Sequence, residues 1–519
     1  MNKEEMEMGW NGLSAEIISG MIEWRQQHPK ATFREIEAEV DERLARLRAR
    51  MLSDAAVSQA QADWEEMGKC PQCGVELKVK GKKKRKLLTR GGQEVELERA
   101  YGVCPKCGQG FFPLDEALEL LPGVLTPHGH ECLVRLGSWM PFEQAAEMLD
   151  DFLGIKVSRS MSQRYTEAAG EAYEHMQDEE AERLEKEAPV AEAGADKMQV
   201  SVDGAMVPLL HGVWAEVKTL VVGEVQPPVE ERGERVVHTK HLSYFSRQTN
   251  AAEFQRLALV EMHRRGVENA KAVAAVMDGA EWEQGFIDYH CPHAVRILDF
   301  AHAAEHINHI GEALFGENTS ESQAWLQERL HRLKHTGPDN LLEEFRTLQQ
   351  QFPHLQTIAD NLAYLEKRKE QIQYPQFQAH GWPIGSGIVE SGNKLVVEAR
   401  LKGSGMHWAA THVNPMLALR NIICSDRWKE EWPKIEARLR QQTRQRREQV
   451  HRSHLPLFQP SQPAHRIPNL DPALVSSLSA HIEQTDSPTK PKKSPWRNFK
   501  CGKALYQPPL PPENLSHTP

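Results

Sequence analysis

Two CPxCG units, Cys70-Pro-Gln-Cys73-Gly and Cys104-Pro-Lys-Cys107-Gly, constrain this chain more than any other feature. Each tight CxxC turn aims two thiolates at one point, and two such turns complete a tetrahedral site of four thiolates. The glycine after each pair lets backbone N–H groups approach sulfur. VELKVK and QEVELERAYGV between them read as a strand pair, so residues 67–113 are expected to form a ribbon around structural Zn²⁺. A redox motif would carry a single CxxC in a βαβ setting. A closed four-thiolate site does no chemistry of its own. Cys132, Cys291, Cys424 and Cys501 have no partner at metal spacing and read as ordinary thiols.

The ribbon sits in a chain of 519 residues, long enough for about three to four domains. Residues 1–66 read as a helical N-terminal region, with Ile17, Ile18, Met21 and Ile22 at helical spacing. Residues 114–170 return to helix and contain a candidate helix-turn-helix. Its first helix opens at Phe142, Gly154 interrupts it, and Ser158 caps a second helix. Arg159, Ser160, Gln163 and Arg164 on that second helix suit contacts in a major groove. Residues 171–197 are acidic and read as a linker. From Met198 the texture changes to strands between helices, so 198–425 is expected to be an α/β core with a helical insertion at about 303–375. Residues 426–519 read as a basic helix and a disordered Pro-rich tail. The expected fold class is multidomain: helical N-terminus, zinc ribbon, helix-turn-helix, then the α/β core.

The net charge of −10 argues against a protein that simply coats DNA. Base is nevertheless concentrated at Lys78–Arg90, Arg438–Arg452 and Lys490–Lys503, and local charge decides nucleic-acid contact. Lys82, Lys83, Lys84 and Arg85 are candidate phosphate contacts in the ribbon, and a charge run can equally be a solvated face. No apolar run approaches the roughly 20 residues that span a bilayer, so a soluble, cytoplasmic and nucleoid-associated protein is expected.

Three acids occupy telling places. Asp203 ends the apolar segment MQVSVDG, Asp278 ends AVAAVMDG, and Glu390 closes PIGSGIVE where a helix opens. Two Mg²⁺ (or Mn²⁺) ions need such hard oxygen ligands to clamp the attacking and leaving oxygens of a phosphodiester. Asp299 is the alternative second acid, with His302 beside it at helical spacing, and Glu398 is the alternative to Glu390. His302, Glu305 and His306 also match the HxxEH pattern of inverted zinc proteases, with Glu390 as a third ligand. Arg400 and Lys402 are candidate phosphate grips; Trp408 reads as core packing or as a platform for a base.

At these residues the chain resembles the ISKra-type family of bacterial insertion-sequence transposases. The resemblance rests on PIGSGIVESGNKLVVEARLKGSGMHW, the two Asp-Gly strand ends, LDFAHAAEH and the paired CPxCG units, across roughly residues 65–425. It implies a ribonuclease H-like core with a DDE triad of Asp203, Asp278 and Glu390. Asp299 and His302 would match the (C/D)xxH element of related transposases. The implied activity is two-metal-ion DNA cleavage and strand transfer at terminal inverted repeats. Partners would be double-stranded DNA and, because two DNA ends must meet, further copies of the chain. The other reading is a non-catalytic zinc-ribbon and helix-turn-helix regulator derived from a transposase.

Overall fold

The computed structural model describes residues 3–58, 68–70, 73–191, 194–231 and 233–454. The Pro-rich tail, Cys501 and the Lys490–Lys503 cluster lie outside the described residues.

Two long helices open the chain, α1 (Lys3–Gln27) and α2 (Phe33–Ser58). A reciprocal capping box starts the second: Thr32 N–H donates to Glu35 Oε2 at 2.7 Å, and Glu35 N–H returns to Thr32 Oγ1 at 3.4 Å. Of the expected apolar stripe on α1, Ile17 is buried while Ile18 and Ile22 are exposed. Ala49 of α2 packs on Leu87, Val95 and Leu97 of an antiparallel hairpin, β1 (Lys78–Leu88) and β2 (Glu94–Val103). A two-residue strand, β3 (Gly110–Phe111), completes that small sheet.

Three helices follow: α3 (Pro127–Trp139), α4 (Phe142–Leu153) and α5 (Arg159–Glu187). Gly154 ends α4 in the left-handed conformation, and Ser158 Oγ caps α5 by accepting Met161 N–H at 3.2 Å. The two expected helices and the turn between them form, but they are not a free-standing unit. Leu133, Leu149, Tyr165 and Tyr173 share one core with Leu419, Ile422, Trp428 and Trp432 from the far end of the described chain.

The acidic stretch 171–197, expected as a linker, is instead the second half of α5 as far as Glu187. Tyr173, Gln177, Ala181 and Leu184 recur at helical spacing and are buried. On the outer face Arg183 bridges Glu180 at 2.7 Å and Glu187 at 2.9 Å. The acids are thus the wet side of an amphipathic helix, and acidic composition alone concealed its inner stripe.

The central sheet has five strands. β4 (Lys197–Pro208), β5 (Trp214–Val225) and β8 (Thr239–Arg247) form an antiparallel meander, interrupted by a small hairpin, β6 (Val229–Glu231) with β7 (Glu234–Val236). β9 (Ala272–Met277) and β10 (Val295–Leu298) then add in parallel on the other side of β4, giving the order β10-β9-β4-β5-β8. Helices cover both faces. Val200 and Val202 of β4 pack with Phe254 of α6 (Ala251–Arg264) and Phe286 of α7 (Glu281–His290). Ala205 and Val207 pack instead with Val389, Val396 and Met416. Strand alternation therefore turns Asp203 toward the side that carries Glu390.

After β10 come α8 (Phe300–Phe315), α9 (Ser320–His335), α10 (Asp339–Gln351) and α11 (Gln356–Lys367), so the stretch expected to be helical is so. Ile307, Leu333, Phe345 and Leu362 form its core against Ile297 and Leu298. α12 runs as Gly387–Gly392, a π-helical stretch Asn393–Glu398, and Ala399–Leu401. α13 (Ala410–Cys424) and α14 (Trp428–His454) close the described chain. Among the described residues no helix is long and apolar enough to cross a membrane.

Candidate metal centres and nucleic-acid surfaces

Cys70, Cys73, Cys104 and Cys107 bring their Sγ atoms within 4.8 Å of one another. The Cys70–Cys107 sulfur separation is 3.7 Å. A tetrahedron built on Zn–S bonds of about 2.3 Å has edges of about 3.8 Å, so the spacing suits zinc. The two knuckles fold alike: Gly74 N–H donates to Cys70 O and Gly108 N–H to Cys104 O, both at 2.8 Å. The Cys107 backbone N–H and then that of Lys106 favour the thiolate, holding Cys104 at about 7 against the effect of burial.

The second centre lies where β9 stops beside β4. The offset of 75 residues that pairs Lys197 with Ala272 in parallel also sets Asp203 alongside Asp278. Asp203 does not end its strand, as the sequence suggested. β4 continues to Pro208 because its other edge stays paired with β5, where Asp203 faces Thr219. Asp278 follows β9 directly in an Asp-Gly turn. Gly279 has φ +90°, and a Cβ there would meet Arg368 Nε at 2.6 Å and Tyr364 Oη at 2.7 Å. Those two side chains brace the turn, Tyr364 donating to Asp278 O at 2.7 Å and Arg368 to Gly279 O.

Asp203, Asp278 and Glu283 each offer an oxygen within 4.8 Å of the others, a hard donor set for a divalent cation. Burial, followed by the charge of Asp278 and, more weakly, of Glu390, pushes the Asp203 carboxyl up to about 6, against the Gly204 N–H and the Asn393 amide. Asn393 Nδ2 donates to Asp203 Oδ2 at 2.8 Å, while its own Oδ1 is buried without a partner. That open acceptor beside clustered carboxylates fits a site completed by a cation or its water. Glu390 is exposed on α12, three residues before Asn393, and does not join the three-oxygen cluster.

Glu283 and Asn393 were not singled out in the sequence. A signal for the first existed: Glu283 sits at the spacing of Phe286 and Ile287, on the apolar face of a short helix. Burial pushes its carboxyl up to about 10, helped by a hydrogen bond to Asp278 and the charges of Asp278 and Asp203. It therefore holds its proton at neutral pH when no cation is present. Cation binding there must expel that proton, so affinity for Mg²⁺ or Mn²⁺ is expected to rise with pH above about 7. Calorimetry in buffers of different protonation enthalpy should show about one proton released per bound cation; none would rule out Glu283 as a ligand.

Asp299 lies elsewhere. It is buried as the cap of α8, accepting His302 N–H at 3.2 Å, and its other oxygen accepts Ser386 N–H at 2.8 Å. It pins the turn before α12 and does not join the cluster. The HxxEH reading finds no metal geometry: His306 binds Asn361 Oδ1 at 2.7 Å and stacks on Tyr364, and His302 contacts Glu305 at 3.5 Å. Burial takes His306 down to about 4. The wider π-helical turn removes the two-turn alignment expected between Glu390 and Glu398, and Glu398 binds Lys402 at 2.6 Å.

The candidate phosphate contacts divide sharply. Arg400 is 1 % exposed, donates to Gly137 O at 2.9 Å and lies against Phe142 and Trp408, so it cannot reach a phosphate here. It joins the helical hairpin to the core. Trp408 is buried too, its indole N–H donating to Leu401 O at 3.1 Å. Arg85 is bound to buried Asp115 at 3.1 Å. Lys82 and Lys84 are exposed but paired with Glu98 and Glu96. Arg159, Ser160 and Arg164 are exposed at the start of α5, and Gln163 donates to Glu167 at 2.9 Å. Arg400→Met, which keeps the volume, is expected to leave stability within about 1.5 kcal/mol. Arg400→Ala should cost about 3 kcal/mol by leaving a cavity. Thermal denaturation measures both, and a loss of DNA affinity in folded Arg400→Met would contradict the packing role.

The chain matches no protein-family model, and no curated protein matches it.

Proposed function

We propose that this chain is a DDE transposase of an insertion sequence, which binds terminal inverted repeats and cuts and joins double-stranded DNA with two Mg²⁺ or Mn²⁺ ions. The observation that carries the reading is the parallel register of β4 and β9, which sets Asp203 beside Asp278 just past the end of β9, with carboxylate oxygens within 4.8 Å. Three antiparallel strands followed by two parallel ones, with acids on the first and after the fourth, also support a ribonuclease H-like core.

The chain's own residues divide the work. Asp203 and Asp278 would hold the divalent cations at the end of the sheet. Asn393 fixes one Asp203 oxygen, leaving the rest of the carboxylate to the cation. Glu390, exposed on the same helix and outside the three-oxygen cluster, would complete the triad from the solvent side. Glu283 supports Asp278 from the buried side through a hydrogen bond, and would lose its proton to join a bound cation. Bound divalent ions supply the activation of water or a 3′-hydroxyl and the stabilisation of the departing oxyanion. The exposed start of α5 and the zinc ribbon deliver DNA, and two DNA ends call for a homo-oligomer.

Excision of the element from a plasmid by the wild type, and none by Asp203→Ala, is the expected outcome. Equal excision, or none in either, would contradict catalysis. In the same assay Glu390→Gln should be as inactive as Asp203→Ala, with Glu283→Gln retaining more activity. The reverse order would move the third catalytic acid to Glu283.

A further inference from the structure

Strand alternation splits the basic run of β1 into two surfaces. Lys82, Lys84 and Lys86 point one way and meet Glu98, Glu96 and Glu94 across the hairpin at 3.1, 2.6 and 2.6 Å. Lys83, Arg85 and Leu87 point the other way. Leu87 is core beneath α2, Arg85 is held by Asp115, and Lys83 places its Nζ 4.7 Å over the Tyr101 ring. α14 approaches this second surface. Its Arg440 and Arg444 are tied to Glu119 and Glu116, but Arg446 and Arg447, like Lys83, have no ion-pair partner among the described residues.

Lys83, Tyr101, Gln109, Phe112, Arg446 and Arg447 line a cleft of about 660 Å³ between the ribbon and α14. Tyr101 and Phe112 stand with ring centroids 5.0 Å apart. A Cβ on Gly110 would fall 1.8 Å from the Tyr101 hydroxyl, so a glycine there is what allows the ring its place. Gln109 is 3 % exposed, and its Nε2 has no hydrogen-bond partner. A buried amide left open is costly unless something meets it.

We propose that this cleft takes an unpaired nucleotide of a DNA strand. Lys83, Arg446 and Arg447 meet the backbone phosphates, while the Tyr101 ring and the Gln109 amide take the base. A duplex shows its bases edge-on within the grooves; only an unpaired base offers its π-face to a recessed ring. The proposal extends the DNA reading above, but it is tested by binding without cutting, so each can fail alone.

Fluorescence anisotropy of the full chain with labelled oligothymidylate, and with a blunt duplex of equal length, tests it. Tyr101→Ala should weaken single-strand binding roughly tenfold, with Tyr101→Phe close to wild type. Replacing both Arg446 and Arg447 by Ala should lower the salt-dependence slope for the single strand by about 1 to 2. That second variant lies outside the ribbon, so it decides the matter even if Tyr101→Ala loses zinc. Single-strand affinity and slope unchanged in the double variant would overturn the proposal, as would equal losses for duplex and single strand. Competition by thymidine monophosphate as strong per phosphate as by the oligomer would also overturn it, by assigning the cleft to free nucleotides.

Discussion

On the proposed reading, Asp203→Asn is expected to lower DNA cutting about 10³-fold or more, and relief of the buried charge should make the metal-free protein more stable. Asp203 has its carboxyl raised from 3.8 to about 6 in the folded chain, mainly by burial. The folded state therefore holds the proton more tightly than the unfolded state does. The associated stability is complete below the unfolded value and is lost as pH rises through the folded one. Above about pH 7 the wild type carries the full penalty, on the order of 3 kcal/mol. Asparagine removes the charge and can still accept from Asn393. In a chelator at pH 7.5 the variant should thus melt higher than the wild type. Adding Mn²⁺ should raise the melting temperature of the wild type and leave the variant unchanged. A variant that melts lower in chelator, or that responds to Mn²⁺ as the wild type does, would contradict a cation site at Asp203.

Zinc removal should have the largest effect on the fold, and a local one. Structural zinc on four thiolates is associated with on the order of 10 kcal/mol of binding free energy at neutral pH, which is folding free energy for a site that does not pre-exist. Among the described residues, Cys70, Leu77, Cys104 and Phe111, with Cys73, Val75 and Cys107 around them, form a small cluster at that end of the ribbon. The central sheet has its own core on both faces. Chelation or Cys104→Ser should therefore remove amide-exchange protection at Gly108 and Cys104 and leave protection across Val200–Val222. In Cys104→Ser assayed with Mg²⁺, the proposed cutting of nonspecific DNA should survive, since Asp203 and Asp278 are placed by that sheet and not by the ribbon. Persistent protection of the knuckles after zinc is gone would show that the ribbon does not depend on metal.

Much of this was legible in the sequence where chemistry and spacing coincide. The cysteine pairs are local turns whose geometry hardly depends on the rest of the fold. The two Asp-Gly positions follow apolar runs that could only be buried strands, so Asp203 and Asp278 were visible as candidates. Asp278 lies in the acidic cluster and Asp299 does not, although both follow strands and only pairing separates them. What failed depended on partners distant in sequence or on the opposite face. Lys82 and Lys84 looked free because their acids lie across a turn, although Glu94, Glu96 and Glu98 repeat the lysines' alternation. Arg400 looked like a phosphate grip because its aromatic neighbour Phe142 is over 250 residues away. Glu283, on the apolar face of its helix, gains its meaning only when the fold places Asp203 and Asp278 beside it.

The most direct test of a cation-dependent acid centre is the anomalous scattering of Mn²⁺ in crystals of the full chain soaked with that ion. A peak should lie within about 2.0–2.3 Å of oxygens of both Asp203 and Asp278, the distance expected for hard oxygen ligands. A peak at Asp299 or at His302 and His306, with none between Asp203 and Asp278, would contradict the account.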